Sequence, residues 1–157
     1  MAWYIRPARP ADLDRLTELL GELFGIEADF AIDAERQRRG LLLMLEAQQA
    51  CVLVAEANEM VIGLATGQLT ISTAEGGPAL LVEDVMVDSE WRGQGIGRRL
   101  IGELGRWAAS RDAHRLQLLA DRNNAAGLEF YRKIGWQSTE LICLRRREPK
   151  GSAPQEG

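Results

Sequence analysis

Six consecutive residues carry the most chemistry in this chain: Arg92-Gly93-Gln94-Gly95-Ile96-Gly97. Glycines at alternate positions allow tight dihedrals and leave bare backbone for a ligand to touch. Arg92 and Arg98 place fixed positive charge on either side. Residues 79–87 before the turn read as a strand, and residues 98–109 after it read as an amphipathic helix. A strand, a glycine-rich turn and a helix N-terminus together form an anion site. The first helical N–H groups lack acceptors there, and the helix dipole adds partial positive charge. The guest that fits is a phosphate or pyrophosphate. A dinucleotide fingerprint needs Gly-x-Gly-x-x-Gly, but its last position falls on Arg98 or Leu100. A P-loop needs Gly-Lys followed by Ser or Thr, which the chain lacks.

Two acids, Glu83 and Asp84, interrupt the apolar strand before the loop. A buried charge is costly without a partner, so at least one of them should have a functional reason. Neighbours on a strand point to opposite faces, so only one should meet a substrate unless a bulge re-aims the other.

The elements that must position these residues follow from pattern. Trp3 to Arg6 reads as a first strand, broken by Pro7-Ala8-Arg9-Pro10. Leu13, Leu16, Leu19, Leu20, Leu23 and Phe24 recur at helical spacing. A second helix is expected from about Asp33 through Gln49. Cys51 to Ala57 and Val61 to Ser72 read as a hairpin turning at Asn58-Glu59. Arg115 to Ala120 is another strand, and Ala125 to Ile134 a short helix closed by Gly135. Trp136 to Leu144 reads as a last strand. The chain is expected to be α/β (α+β), with helices on both faces of a mixed, mostly antiparallel sheet of six to seven strands. Residues 1–147 form a single domain in this reading, and 148–157 a disordered tail rich in Pro, Gly and Ser.

Composition sets further bounds. At 157 residues the chain suits one core, and 46% hydrophobic with 27% charged residues is ordinary for a globular protein. A net charge of -4 argues against nucleic acid or an anionic membrane as partner. The run Arg145-Arg146-Arg147 is read as a solvated edge. Cys51 and Cys143 lie in apolar strand-like runs without metal-ligand spacing, so buried free thiols and no metal site are expected. The single histidine, His114, is read as a surface or capping residue. No signal peptide is visible at the start, and no apolar run approaches the ~20 residues of a membrane helix, so a cytoplasmic location is expected.

The glycine loop fits Arg-x-x-Gly-x-Gly, which resembles the coenzyme A pyrophosphate loop of the GNAT superfamily, the general N-acetyltransferases. A second motif supports the resemblance. Asn124-Ala125-Ala126-Gly127-Leu128-Glu129-Phe130-Tyr131-Arg132-Lys133-Ile134-Gly135-Trp136 resembles the family pattern Asn-x-x-Ala-x-x-Phe-Tyr-x-x-x-Gly-Phe, with Gly127 in place of alanine and Trp136 in place of phenylalanine. With the order of elements, the likeness runs from Trp3 to Leu144.

The resemblance implies a bulged strand whose end, at Val85, Met86 and Val87, binds the pantetheine arm of acetyl-CoA. It implies that backbone amides of Arg92, Gly93, Gln94, Gly95, Ile96, Gly97 and Arg98 hold the pyrophosphate, and that Asn124 reaches the arm. Tyr131 would protonate the leaving thiolate as general acid. A backbone N–H near Val87 would hold the oxyanion. Glu83 is the favoured base, with Asp84 or a water chain as alternatives. Residues 82–87 also look like the corresponding strand of glucosamine-6-phosphate N-acetyltransferases.

The expected activity is acetyl transfer from acetyl-CoA to the primary amine of a small molecule, by direct attack in a ternary complex. A protein N-terminal or lysine acetyltransferase and a non-catalytic acyl-CoA-binding module are the competing readings. The acceptor pocket is expected between about Phe24 and Met44 and at the turn around Gly76. Exposed strand edges near the C-terminus would admit a homodimer.

Overall fold

The computed structural model describes residues 2–26 and 31–151. Most of the expected disordered tail, and the first four residues after α1, lie outside them. The elements run β1 (Tyr4–Pro7), α1 (Leu13–Ile26), α2 (Ala34–Glu46), β2 (Ala50–Ala57), β3 (Met60–Ser72), β4 (Gly77–Val87), α3 (Ile96–Ser110), β5 (Leu116–Leu118) and α4 (Ala125–Lys133).

The sheet order is β1-β2-β3-β4-β5. The first three pairings are antiparallel, and β5 pairs with β4 in parallel. The β2–β3 hairpin closes at Asn58 and Glu59, both with positive φ, the geometry of a two-residue turn that follows the strand twist.

Alternation along the strands sorts side chains between two layers. Val52 and Val54 face the leucine stripe of α1 and Leu41 of α2, while Leu53, Ala55 and Ala57 face Ile96, Leu100, Leu104 and Ala108 of α3. Helices therefore cover both faces, as the pattern requires. Arg6 ties β1 to the turn before α1 by reaching Asp12 and Glu56, each at 2.8 Å.

Among the described residues the sheet has five strands, fewer than six to seven. The shortfall is the expected last strand: residues 136–144 pair with nothing in the sheet. Strand-like side chains do not form a strand unless a neighbouring edge supplies ladder hydrogen bonds. The same departure corrects the expectation for the cysteines, since Cys143 is exposed and Cys51 only half-buried. Burial pushes the Cys51 thiol up to about 11. The second helix stops at Glu46, three residues short of Gln49. His114 is exposed, as expected.

Candidate active site

The ladder between β4 and β5 ends at Val82 opposite Leu118, whereas β4 stays paired with β3 as far as Val87. Residues 83–87 therefore have no strand on their β5 side among the described residues. β5 ends at Leu118, so the β4 edge that carries Val85, Met86 and Val87 is open on that side.

Just past the end of that ladder β4 carries a bulge. Thr66 pairs with Asp84 and Gly67 with Val82, which leaves Glu83 as the extra residue. The bulge resets the alternation. Leu80 and Val82 pack toward α3, and so do Val85 and Val87, while Met86 packs toward α1 and α2. Asp84 consequently shares a face with Met86. Glu83 does not point away from it: the Gln68 amide donates to Glu83 at 3.2 Å, and Gln68 lies two residues along β3 from Thr66, the partner of Asp84. Adjacent acids on a strand take opposite faces unless a bulge re-aims one of them; here the bulge does so and brings both to the α1/α2 side.

Their surroundings differ. Glu83 is exposed. Asp84 is desolvated, which pushes its carboxyl up to about 6, against a smaller downward pull from the Thr66 hydroxyl and with a small push from the Glu83 charge. Thr66 Oγ1 donates to Asp84 Oδ2 at 2.8 Å and accepts the Asp84 backbone N–H at 3.1 Å. Thr66 is fully buried, and it is a site residue that no sequence pattern marked. Only register places it opposite Asp84.

At the far end of β4 the loop begins. Asp88 caps the turn at Ser89–Trp91 and is held by Arg15 of α1 at 2.5 Å, so the loop start is tied to the helical layer. Gly93 (φ 78°) and Gly95 (φ 81°) are both left-handed, and Gly95 is the N-cap of α3 with no side-chain cap. Among the described residues, none of the backbone N–H groups from Gly93 to Arg98 donates to a protein carbonyl; the first that does is Arg99, to Gly95 at 3.0 Å. A Cβ added at Gly93 or Gly95 would meet nothing within 4 Å. Unpartnered amide donors in a loop with open space beside Gly93 and Gly95, at the positive end of a 15-residue helix, fit a phosphate or diphosphate.

The arginines beside the loop divide the work. Arg92 turns back, its Nε donating to the Val87 carbonyl at 3.1 Å, and so fixes the end of β4. Arg98 and Arg99 line a shallow depression of about 390 Å³ with Trp3, Gln94 and Arg106.

The Phe130 ring of α4 lies against the start of α3. A Cβ on Gly97 would stand 3.0 Å from Phe130 Cζ, so this glycine makes room for α4. Gly97→Ala is expected to lower stability by about 1–3 kcal/mol through overpacking; an unchanged urea midpoint would contradict this. Tyr131 packs against the Phe130 ring at a centroid distance of 5.1 Å and against Trp136 at 5.7 Å. Asn124 Oδ1 accepts the Gly127 N–H at 3.1 Å and caps α4. The cap uses the carbonyl end of that amide and leaves its NH₂ as a donor. Gly127 suits this fold-back, because a Cβ there would lie 2.6 Å from Asn124 Nδ2.

The loop and the two acids thus lie along the C-terminal half of β4, with Phe130 of α4 set against Gly97 at the start of α3. Among the described residues no cluster of His, Cys, Asp and Glu could hold a metal ion, and no helix is long and apolar enough to cross a membrane.

The chain is similar to known proteins over most of its length. It is 24% identical over 140 residues to an uncharacterized N-acetyltransferase of Methanocaldococcus jannaschii, covering 88% of this chain but 62% of that relative's length. It is 28% identical over 143 residues to a glucosamine 6-phosphate N-acetyltransferase of Trypanosoma brucei brucei, covering 87% of this chain and 90% of the relative. Its fold superposes with a TM-score of 0.80 on an aminoglycoside N-acetyltransferase, AAC(6')-Iy, in complex with CoA, at 17% identity and covering 94% of this chain and 96% of that one. Residues 48–138, which run from the start of β2 through the loop to the end of the second motif, match the acetyltransferase (GNAT) domain, and the chain belongs to the GNAT acetyltransferase family.

Proposed function

We propose that this chain is an acetyl-CoA-dependent N-acetyltransferase whose acceptor is the primary amine of a small molecule, attacked directly in a ternary complex. The observation that carries this reading is the sequence of an open β4 edge, a desolvated acid on it and unpartnered loop amides just beyond its end. The amides from Gly93 to Arg98 would bind the diphosphate of the acyl donor, and the β4 backbone from Glu83 to Val87 would bind its arm. Asn124 would add a side-chain N–H donor to that arm.

Asp84 is the better base of the two acids. Its desolvation raises its proton affinity, while Thr66 holds its orientation. Asp84 takes the proton, directly or through one water, as the amine nitrogen bonds the acyl carbon. A β4 amide near Val87 holds the oxyanion. When the C–S bond breaks, Tyr131 supplies a proton to the sulfur. Glu83, exposed on the same face, contributes negative potential that attracts a cationic amine. The names of relatives acting on aminoglycosides and on glucosamine 6-phosphate support a sugar-borne amine as the acceptor class.

The test is thiol release from acetyl-CoA with a panel of amino sugars, polyamines and amino acids. Tyr131→Phe is expected to lower kcat about 10²-fold or more, with acetyl-CoA affinity kept. Turnover that does not change would remove Tyr131 from the mechanism. No thiol release with any amine, together with tight acetyl-CoA binding, would favour a binding module.

A further inference from the structure

Strand β3 presents a polar row to the side of the sheet that α1 and α2 cover. Ala65 and Leu69 pack toward α3, so Thr66, Gln68 and Thr70 project to the opposite face. The row opens outward: Thr66 is fully buried, Gln68 half-buried and Thr70 exposed. Each of its first two members holds an acid of β4. Thr66 donates to Asp84 at 2.8 Å, and the Gln68 amide donates to Glu83 at 3.2 Å. Residues two apart on a strand are about 7 Å apart, so the row sets the two carboxylates at neighbouring levels of one face. Other acids beside the strands are neutralised: Arg6 holds Glu56 at 2.8 Å, and Arg15 holds Asp88 at 2.5 Å. Among the described residues no arginine or lysine pairs with Glu83 or Asp84.

We infer that Gln68 and Glu83 form a second subsite for the acceptor, which takes a further ammonium group about 7 Å from the reacting amine. The acceptor is then a short diamine, or a sugar carrying two amines, rather than a monoamine. The inference rests on the reading of Asp84 as the base that receives the first amine. Two carboxylates on one face repel each other when both are ionised, and a ligand cation at the outer one relieves that repulsion. Their surroundings separate their tasks. Asp84, enclosed and held by Thr66, meets an amine that must lose its proton to react. Glu83, exposed to solvent, meets one that stays charged. The Gln68 amide donates one N–H to Glu83 Oε1 and so orients that carboxylate. Glu83 Oε2 and the Gln68 side-chain carbonyl are left to accept from the ammonium. A hydroxyl is the weaker guest there, because it leaves the Glu83 charge uncompensated.

The experiment compares putrescine, butylamine and 4-aminobutyrate, which share a chain length and differ in the charge at the far end. It reads kcat/KM for acetylation and calorimetric binding in the presence of CoA, for wild type, Glu83→Gln, Glu83→Lys and Gln68→Leu. Wild type is expected to prefer putrescine over butylamine by about tenfold, through KM rather than kcat, and to lose most of that preference at high salt. Glu83→Gln should cut the preference to below about twofold, with Gln68→Leu between it and wild type. Glu83→Lys should place 4-aminobutyrate above butylamine, an inversion that a damaged fold does not produce. Equal use of putrescine and butylamine by wild type would overturn the proposal. So would a preference that survives Glu83→Gln, or a Glu83→Lys variant that still favours butylamine over 4-aminobutyrate. If no amine is acetylated, the same order must appear in binding, and its absence there overturns the subsite. A charge preference that follows Glu83 while Asp84→Asn keeps full turnover upholds the subsite and removes the base.

Discussion

Asp84→Asn is expected to lower kcat with the best amine by about 10²- to 10⁴-fold, the usual contribution of a positioned general base, and to stabilise the protein at neutral pH. Both effects come from one cause. Desolvation holds the Asp84 carboxyl at about 6 in the fold, against 3.8 unfolded. A carboxyl with a raised folded pKa favours the fold while protonated. That contribution is present below pH about 4 and is lost as pH rises through about 6, at an order of 3 kcal/mol for a shift of this size. The asparagine side chain never ionises, so its stability should not fall over that window. Urea unfolding at pH 4.5 and pH 8 should show wild type losing stability relative to the variant as pH rises. The rate should behave oppositely. Asp84 works as a base only when ionised, so the ascending limb of the wild-type profile should lie near pH 6 and vanish in Asp84→Asn. Glu83→Gln, at an exposed position, should keep that limb. If the limb moves with Glu83 and not with Asp84, the two roles are exchanged. If neither variant moves it, the proton leaves by water alone.

The choice between these acids shows what the sequence could and could not disclose. The glycine loop was legible because its logic is local: positive φ at Gly93 and Gly95, then a helix start, all within a few residues. The α1 stripe and the β2–β3 hairpin were legible for the same reason, since period and turn chemistry are short-range. A bulged strand was implied by the resemblance, but not that Glu83 is its extra residue. The bulge exists only as a mismatch between β3 and β4, two strands whose register is set by everything packed on them. Without it, strict alternation separates Glu83 from Asp84 and cannot reveal Thr66 as a partner. The Arg15–Asp88 contact escaped likewise, because it spans 73 positions. Residues 136–144 are the reverse case. Their side chains have strand character, but among the described residues no strand pairs with them, and composition alone does not say whether a ladder will form.

Gly95→Val is expected to weaken acetyl-CoA binding by about 100-fold, or about 2.7 kcal/mol, while the fold survives. The position has open space around a would-be Cβ, so no protein atom stands in the way. What opposes the substitution is φ of 81°, which a β-branched residue rarely adopts, and the loss of the bare surface through which a diphosphate approaches the amides. Gly95→Ala carries the strain with little bulk and should fall between valine and wild type. Arg98→Ala tests the other source of affinity, side-chain charge. Its effect should be nearer tenfold and should shrink at high salt, whereas the amide contribution, made at close range to a partly desolvated ligand, should persist. Arg92→Ala should act differently again, because its guanidinium is committed to the Val87 carbonyl. Its loss should loosen the end of β4 and lower kcat more than affinity. Calorimetry with acetyl-CoA at two salt concentrations, beside thermal unfolding of each variant, separates these cases. If Gly95→Val stays folded and binds as wild type does, the amides from Gly93 to Arg98 are not the phosphate grip, and the reading of β4 as the acyl donor's slot goes with them.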